Sequence, residues 1–230
     1  MSSKRPDPIA KQQPLGLSDL NHWLHDNNPA RLSLPALTAG VDEVGRGALF
    51  GPVVAAAVIL TPEQERRLQA VGVKDSKALS PQRREELARH VREMALTWGL
   101  GWAHPREIDR INILQATFLA MHRALSRLVP VPEHCLVDGN KTIPSVRLPQ
   151  TTVVKGDSHS LAIASASIVA KVHRDRWIVS LANRYPGYAL ASNKGYGSAA
   201  HRQALQTLGP TPEHRLSFAP CQPQLIPTDN

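Results

Sequence analysis

The chain reads as an α/β protein built on one mixed sheet. Short apolar runs are interspersed with helical stretches, and the first two runs lie close enough to form a hairpin, so parallel and antiparallel pairings are both expected. A hydrophobic share of 42% over 230 residues is enough to pack one large domain, or a core domain with an appendage.

Residues 1–36 are polar and interrupted by proline, and read as a flexible N-terminal extension. Within it Leu17–Asp26 predicts one short helix, with Ser18 as N-cap and Leu20, Trp23 and Leu24 along one side. Thr38–Val41 is the end of a first strand, and Val53–Leu60 (VVAAAVIL) a second, fully buried one. Between them stand Asp42 and Glu43, then Gly45-Arg46-Gly47. Neighbouring side chains on a regular strand point to opposite faces, so the two acids converge only where the strand ends or bulges. The glycines allow such a departure and a close approach to a ligand. Between such apolar flanks, a carboxylate pair is costly without a cation.

Lys74–Lys77 is a polar loop, and Ser80-Pro81 supplies an N-cap and a first helical position. The helix that follows buries Leu87, Val91, Met94 and Ala95, and Thr97–Ala103 is a third strand. Ile111, Leu114, Phe118, Met121, Leu125 and Leu128 recur at steps of three and four, one apolar stripe that belongs to the core, and Pro130 and Pro132 stop that helix. Cys135–Val137 is a short strand running into Asp138-Gly139-Asn140, and Thr151–Val154 a fifth running into Lys155-Gly156-Asp157. A long helix is expected over Ser158–Leu181, opening with small residues (Ala162, Ala164, Ser165, Ala166, Ser167) that let it lie close to the sheet. Beyond Tyr185-Pro186 the composition turns to glycine, proline and basic residues: a loop at Asn193–Gly197, a last helix at Ser198–Leu208, and a proline-rich tail.

The formal net charge is +8 and the pI about 9.9. Residues 38–140 carry 13 Lys/Arg against 12 Asp/Glu, whereas 141–230 carry 10 against 4, so the second half holds most of the excess and an acidic polymer such as nucleic acid is the natural partner. Cys135 and Cys221 form no pair spacing or zinc pattern. There is no signal-peptide core and no run of membrane-spanning length, so a cytoplasmic protein without membrane contact is expected.

Taken singly, the acids have ordinary explanations. Asp138-Gly139 is a common turn pair, and Asp157 could cap a helix. What resists those explanations is recurrence: a strand end followed by an acid occurs three times, with Glu43 in addition. If those strands are neighbours, the carboxylates gather at one edge of the sheet and repel one another unless cations bind. Oxygen donors without Cys or His suit Mg²⁺ or Mn²⁺. Two such ions about 3.5–4 Å apart clamp a phosphodiester.

Several segments together resemble the bacterial type 2 ribonucleases H, the ribonuclease HII family. They are DEVGRG with GPVVAAAVIL, DSKALS at 75–80, EIDRINILQATFLAMHRAL at 107–125, VDGN at 137–140, KGDSHSLAIASASIVAKVHRDR at 155–176, NKGYGS at 193–198 and HRLSF at 214–218. They run in order over roughly residues 38–220. The resemblance implies a ribonuclease H-like fold, a five-stranded mixed sheet flanked by helices, with a catalytic domain at 37–181 and a helical substrate-binding segment at 182–220; the proline-rich composition of 221–230 predicts a disordered tail. It implies hydrolysis of RNA in RNA–DNA hybrids and nicking of duplex DNA 5′ to a single ribonucleotide, leaving 3′-hydroxyl and 5′-phosphate ends. Ribonucleotide excision, RNA primer removal and a monomeric enzyme fit that implication.

Carried over by position, the metal-binding and catalytic acids are Asp42, Glu43, Asp138 and Asp157, with a two-metal site for Mg²⁺ or Mn²⁺. Gly45, Arg46 and Gly47 would sense the ribose 2′-hydroxyl, and Tyr196 would contact substrate; from the basic second half, Lys155 and Lys194 are expected to hold its phosphates. Ala48 and Asn193 depart from the family's usual proline and histidine. Asp175, between Arg174 and Arg176, reads as a structural ion pair, and His159 as a surface residue. A four-carboxylate exonuclease on the same fold and a non-catalytic hybrid-binding module are the rival readings. The module is disfavoured because a pure binder gains nothing from four negative charges near phosphates.

Overall fold

The computed structural model describes residues 35–73 and 79–222. The helix expected at Leu17–Asp26 and the loop at Lys74–Lys77 lie outside them, as does most of the tail. Five strands, β1 (Thr38–Val44), β2 (Val53–Ile59), β3 (Thr97–Ala103), β4 (His134–Asp138) and β5 (Gln150–Val153), form one sheet in the order β3-β2-β1-β4-β5. β1, β4 and β5 are parallel, and β2 runs antiparallel to both β1 and β3. The sheet is mixed as the hairpin requires, and the C-terminal ends of the three parallel strands lie side by side.

β1 continues past the expected end at Val41. Asp42 and Glu43 still pair with Ala56 and Ala55 of β2, whereas pairing with β4 stops at Val41 opposite Val137. The strand has ended on one side only, and its register on the other is unbroken.

Every residue of β2 is buried, because helices cover both faces of the sheet. Val53, Ala55, Ala57 and Ile59 join one core cluster with α3 (Pro105–Leu125). Val54, Ala56 and Val58 join the other, with α2 (Pro81–Met94) and α4 (Leu161–Leu181). Burial of each large aliphatic side chain is worth about 1.5–3 kcal/mol. Glycines set the helix distances: a Cβ at Gly40 would stand 2.3 Å from the Ala162 carbonyl carbon, and one at Gly101 2.1 Å from the Ala120 oxygen. The small residues opening α4 therefore do bring it hard against β1.

The helices differ from expectation in three places. α1 (Pro62–Ala70) follows β2, started by a capping box between Thr61 and Gln64; it buries Leu68 alone and so shows no apolar stripe. α3 begins earlier than its stripe and is broken at Asn112, whose φ of 65° is left-handed and whose Oδ1 accepts from the Leu114 and Gln115 amides, recapping the second half. α4 starts at Leu161 and not at Ser158, with Ser160 as N-cap accepting from the Ile163 amide at 3.4 Å; the preceding Gly156–Ser158 is a single 3₁₀ turn. Ser80 caps α2 as expected.

Two further helices, α5 (Leu190–Asn193) and α6 (Ala199–Leu208), pack with Leu49, Phe50 and Ile178 in a third cluster. Cys221, at the boundary expected for the tail, is buried in it. At the β3 edge of the sheet, Arg123 donates to the Trp102 carbonyl at 2.7 Å and Arg127 to that of Leu100.

Candidate active site

At the C-terminal end of the parallel strands, one ligand atom each from Asp42, Glu43 and Asp138 lies within 4.8 Å of the others. Asp42 is held on β1 one residue past its last pairing with β4, 5% exposed, with an oxygen accepting from the Glu43 amide at 2.7 Å. Burial, then the neighbouring charges of Glu43 and Asp138, push the Asp42 carboxyl well above the usual range, against a hydrogen bond from Ser167 on α4. Burial also raises Glu43, with Arg46 pulling the other way; the Arg46 guanidinium lies 3.4 Å from its carboxylate. Asp138 ends β4 and accepts from the Gly156 amide at 2.7 Å, which ties it to the turn carrying Asp157.

Asp157 is 4% exposed in that turn, but its carboxylate stands outside the group of three. It follows β5, separated from β1 by the whole of β4. It is not the cap of α4 either, since Ser160 takes that place. The three gathered acids are all-oxygen donors whose mutual repulsion a divalent cation would relieve, so the set fits Mg²⁺ or Mn²⁺.

The loop after β1 is built from buried guanidinium groups. Arg215, 0% exposed, donates to the carbonyls of Gly45 at 2.7 Å, Arg46 at 2.8 Å and Gly51 at 3.0 Å. Arg174, also 0% exposed, donates to Phe50 at 3.0 Å, Pro52 at 3.0 Å and Lys194 at 2.9 Å. Burial, with Arg174 alongside, pulls Arg215 down to about 9. Gly45 is buried with φ +90°, while Arg46 and Gly47 are exposed.

The same segment receives the Asn193–Ser198 loop. Ala48 pairs with Tyr196, and the Leu49 amide donates to the Gly195 carbonyl at 2.8 Å. Asn193, at the departure from the family pattern, shapes this loop: its Oδ1 accepts from Gly195 at 2.7 Å and its amide donates to the Tyr188 carbonyl at 2.7 Å. The Tyr196 ring faces Arg174 at 5.3 Å and Lys171 at 5.6 Å. Lys171 is also the partner of Asp175, at 2.9 Å, so the expected ion pair exists but not with either flanking arginine. Lys155 is exposed at left-handed φ 55°, and the Lys194 ammonium donates to the Ala191 carbonyl.

Sequence reasoning missed Arg174, Arg215 and Ser167, and a pocket wall beside Glu43 and Asp138 made by Leu114, Thr117, Phe118 and Lys141. A signal existed for Arg174: it occupies a position on the buried side of α4, in line with Ala170 and Ile178, where an arginine needs partners.

The ribonuclease HII family model matches residues 39–221. A ribonuclease HII of Acaryochloris marina is 63% identical over 189 residues, covering 82% of this chain and 96% of the relative. One of Trichodesmium erythraeum is 58% identical over 190 residues, covering 83% and 90%. The crystal structure of ribonuclease H2 from Pyrococcus horikoshii superposes with a TM-score of 0.69 at 28% identity, covering 80% of this chain and 94% of that one. The similarity takes in β1 and its loop, the acid-bearing turns and both bracing arginines together, and the chain belongs to the ribonuclease HII family.

Proposed function

We propose that this chain, a ribonuclease H acting on RNA–DNA hybrids, also nicks duplex DNA on the 5′ side of a single embedded ribonucleotide, leaving 3′-hydroxyl and 5′-phosphate ends. The observation that carries the reading is the convergence of Asp42, Glu43 and Asp138 within 4.8 Å, next to a glycine-arginine-glycine loop. Those three acids, with Asp157 as the fourth, would hold Mg²⁺ or Mn²⁺. Bound there, two such ions would activate water and stabilise the leaving oxygen of a phosphodiester.

Gly47 leaves open space beside the loop, room for a sugar to approach exposed backbone groups. The 2′-hydroxyl can be read as donor and acceptor at once, which is what separates a ribonucleotide from its deoxy neighbours. Tyr196, held beside Ala48, would pack on the adjoining sugar, while Lys155 and Lys194 attract phosphates. Such activity suits ribonucleotide excision and RNA primer removal by a cytoplasmic monomer. Among the described residues no helix is long and apolar enough to cross a membrane.

The test is a closed circular duplex carrying one ribonucleotide, incubated with Mg²⁺. Conversion to a nicked circle, with the all-deoxy circle untouched, is expected. A cut all-deoxy circle would remove the 2′-hydroxyl reading, and an uncut ribonucleotide circle would restrict the enzyme to longer RNA tracts.

A further inference from the structure

His201 and His214 have no part in the chemistry above, yet they are 0% and 1% exposed. Their Nε2 atoms meet at 3.0 Å. Phe50 and Tyr188 wall in the His214 ring, with centroids 5.0 and 4.9 Å away. The partners of the two remaining ring nitrogens fix every proton. His201 Nδ1 lies 2.9 Å from the carbonyl oxygen of Tyr196, which only accepts, so that nitrogen carries the hydrogen. At the other end the Thr211 amide donates to His214 Nδ1 at 2.9 Å, so that nitrogen is bare and His214 keeps its hydrogen on Nε2. The Thr211 hydroxyl accepts from the Glu213 amide at 3.3 Å and lies 2.9 Å from the same Nδ1.

One neutral arrangement thus satisfies every member, and it has a direction: Thr211 to His214, His214 to His201, His201 to the Tyr196 carbonyl. A buried network without a missing partner is stiff. Both its ends touch the loops of the site. The Tyr196 backbone pairs with Ala48, and the His214 backbone pairs with Phe50. The two rings therefore join, from behind, the segment that follows Gly47 and the loop that carries Tyr196.

We propose that His201 and His214 are positioning residues: their directed hydrogen-bond chain sets the pose of Tyr196 against the Gly45–Phe50 segment, and with it the discrimination of a lone ribonucleotide from a continuous hybrid. This rests on the reading of Tyr196 as a substrate contact.

The full chain with Mg²⁺ is assayed on a duplex carrying one ribonucleotide and on a continuous hybrid, and ¹⁵N imidazole spectra are recorded at neutral pH. The expected spectra show His201 protonated on Nδ1 and His214 on Nε2. His201→Phe should lower kcat on the lone ribonucleotide about tenfold more than on the hybrid, with KM little changed. His201→Asn, whose amide can donate from the place of Nδ1, should restore most of that loss. Spectra showing His201 charged or protonated on Nε2 overturn the chain whether or not either variant folds. Equal losses on both substrates for His201→Phe, where Tyr196→Ala discriminates between them, overturn the positioning role alone. A Tyr196→Ala variant that does not discriminate removes the reading of Tyr196 and this proposal together.

Discussion

The two glycines around Arg46 should respond to alanine in opposite ways. Gly45 is buried at φ +90°, and an added Cβ would stand 2.1 Å from Nε of Arg174. The left-handed backbone alone costs an alanine roughly 1–2 kcal/mol. Arg174 cannot swing aside freely, because its guanidinium holds the carbonyls of Phe50, Pro52 and Lys194. Losing even one of these charge-assisted bonds costs about 1.5–3 kcal/mol, so Gly45→Ala should lose roughly 2.5–5 kcal/mol of stability, and activity on every substrate should fall with it. At Gly47 an added Cβ meets nothing within 4 Å. Gly47→Ala should stay within about 1 kcal/mol of the parent, on the stable side if anything, since alanine restricts the unfolded chain. On the proposed close approach of a sugar, its methyl should nonetheless lower lone-ribonucleotide nicking by about tenfold or more. Urea unfolding followed by circular dichroism, beside nicking rates, separates the two effects. A Gly45→Ala protein as stable as the parent would refute the bracing argument. An undiminished Gly47→Ala enzyme would refute the close approach.

EDTA should abolish activity and Mg²⁺ or Mn²⁺ restore it. Asp42→Asn should cost about a hundredfold in rate, yet raise Tm in metal-free buffer because it removes a charge from a mutually repelling set; a falling Tm would contradict that electrostatic picture. Neutralising Lys155 and Lys194 together should flatten the salt dependence of hybrid affinity by about one unit of log–log slope per lost phosphate contact, and an unchanged slope would move the binding face elsewhere. Burial, with His201 alongside, pulls His214 from 6.5 down to about 4, and burial also lowers His201. The unfolded chain therefore takes up the proton first, and stability present above pH 6.5 is lost as pH falls toward 4, by about 2 kcal/mol between pH 7 and 5. Urea midpoints should show a smaller pH effect in His214→Gln, and the same effect in both proteins would refute the assignment.

The legible parts of this fold were local ones. The unbroken apolar run of β2, the cap at Ser80, and acids at strand ends each declare themselves within a few residues. What stayed hidden depends on partners far along the chain. β1 runs on to Val44 because β2 keeps pairing with it after β4 has stopped. Whether Asp157 joins Asp42 depends on β5 lying beyond β4 and on the turn after it, which no spacing reveals. Asn112 looks like any polar helical residue until its φ is known. The buried role of Arg215 exists only because residues 213–215 return to pair with 49–51. Helix α1 escaped for the opposite reason: one buried leucine leaves no periodicity to detect.

The guanidinium groups laid along β3 bear on how the enzyme behaves when crowded. A basic protein gathers on polyanions, where copies sit at high local concentration and an open strand edge invites a neighbouring chain to add on. Here the outward carbonyls of Leu100 and Trp102 are already taken by Arg127 and Arg123, the latter steadied by Glu107 at 2.8 Å. An incoming strand would have to displace charged donors with neutral amides, an unfavourable exchange. The β3 edge of the sheet is thereby closed to strand addition by its own arginines.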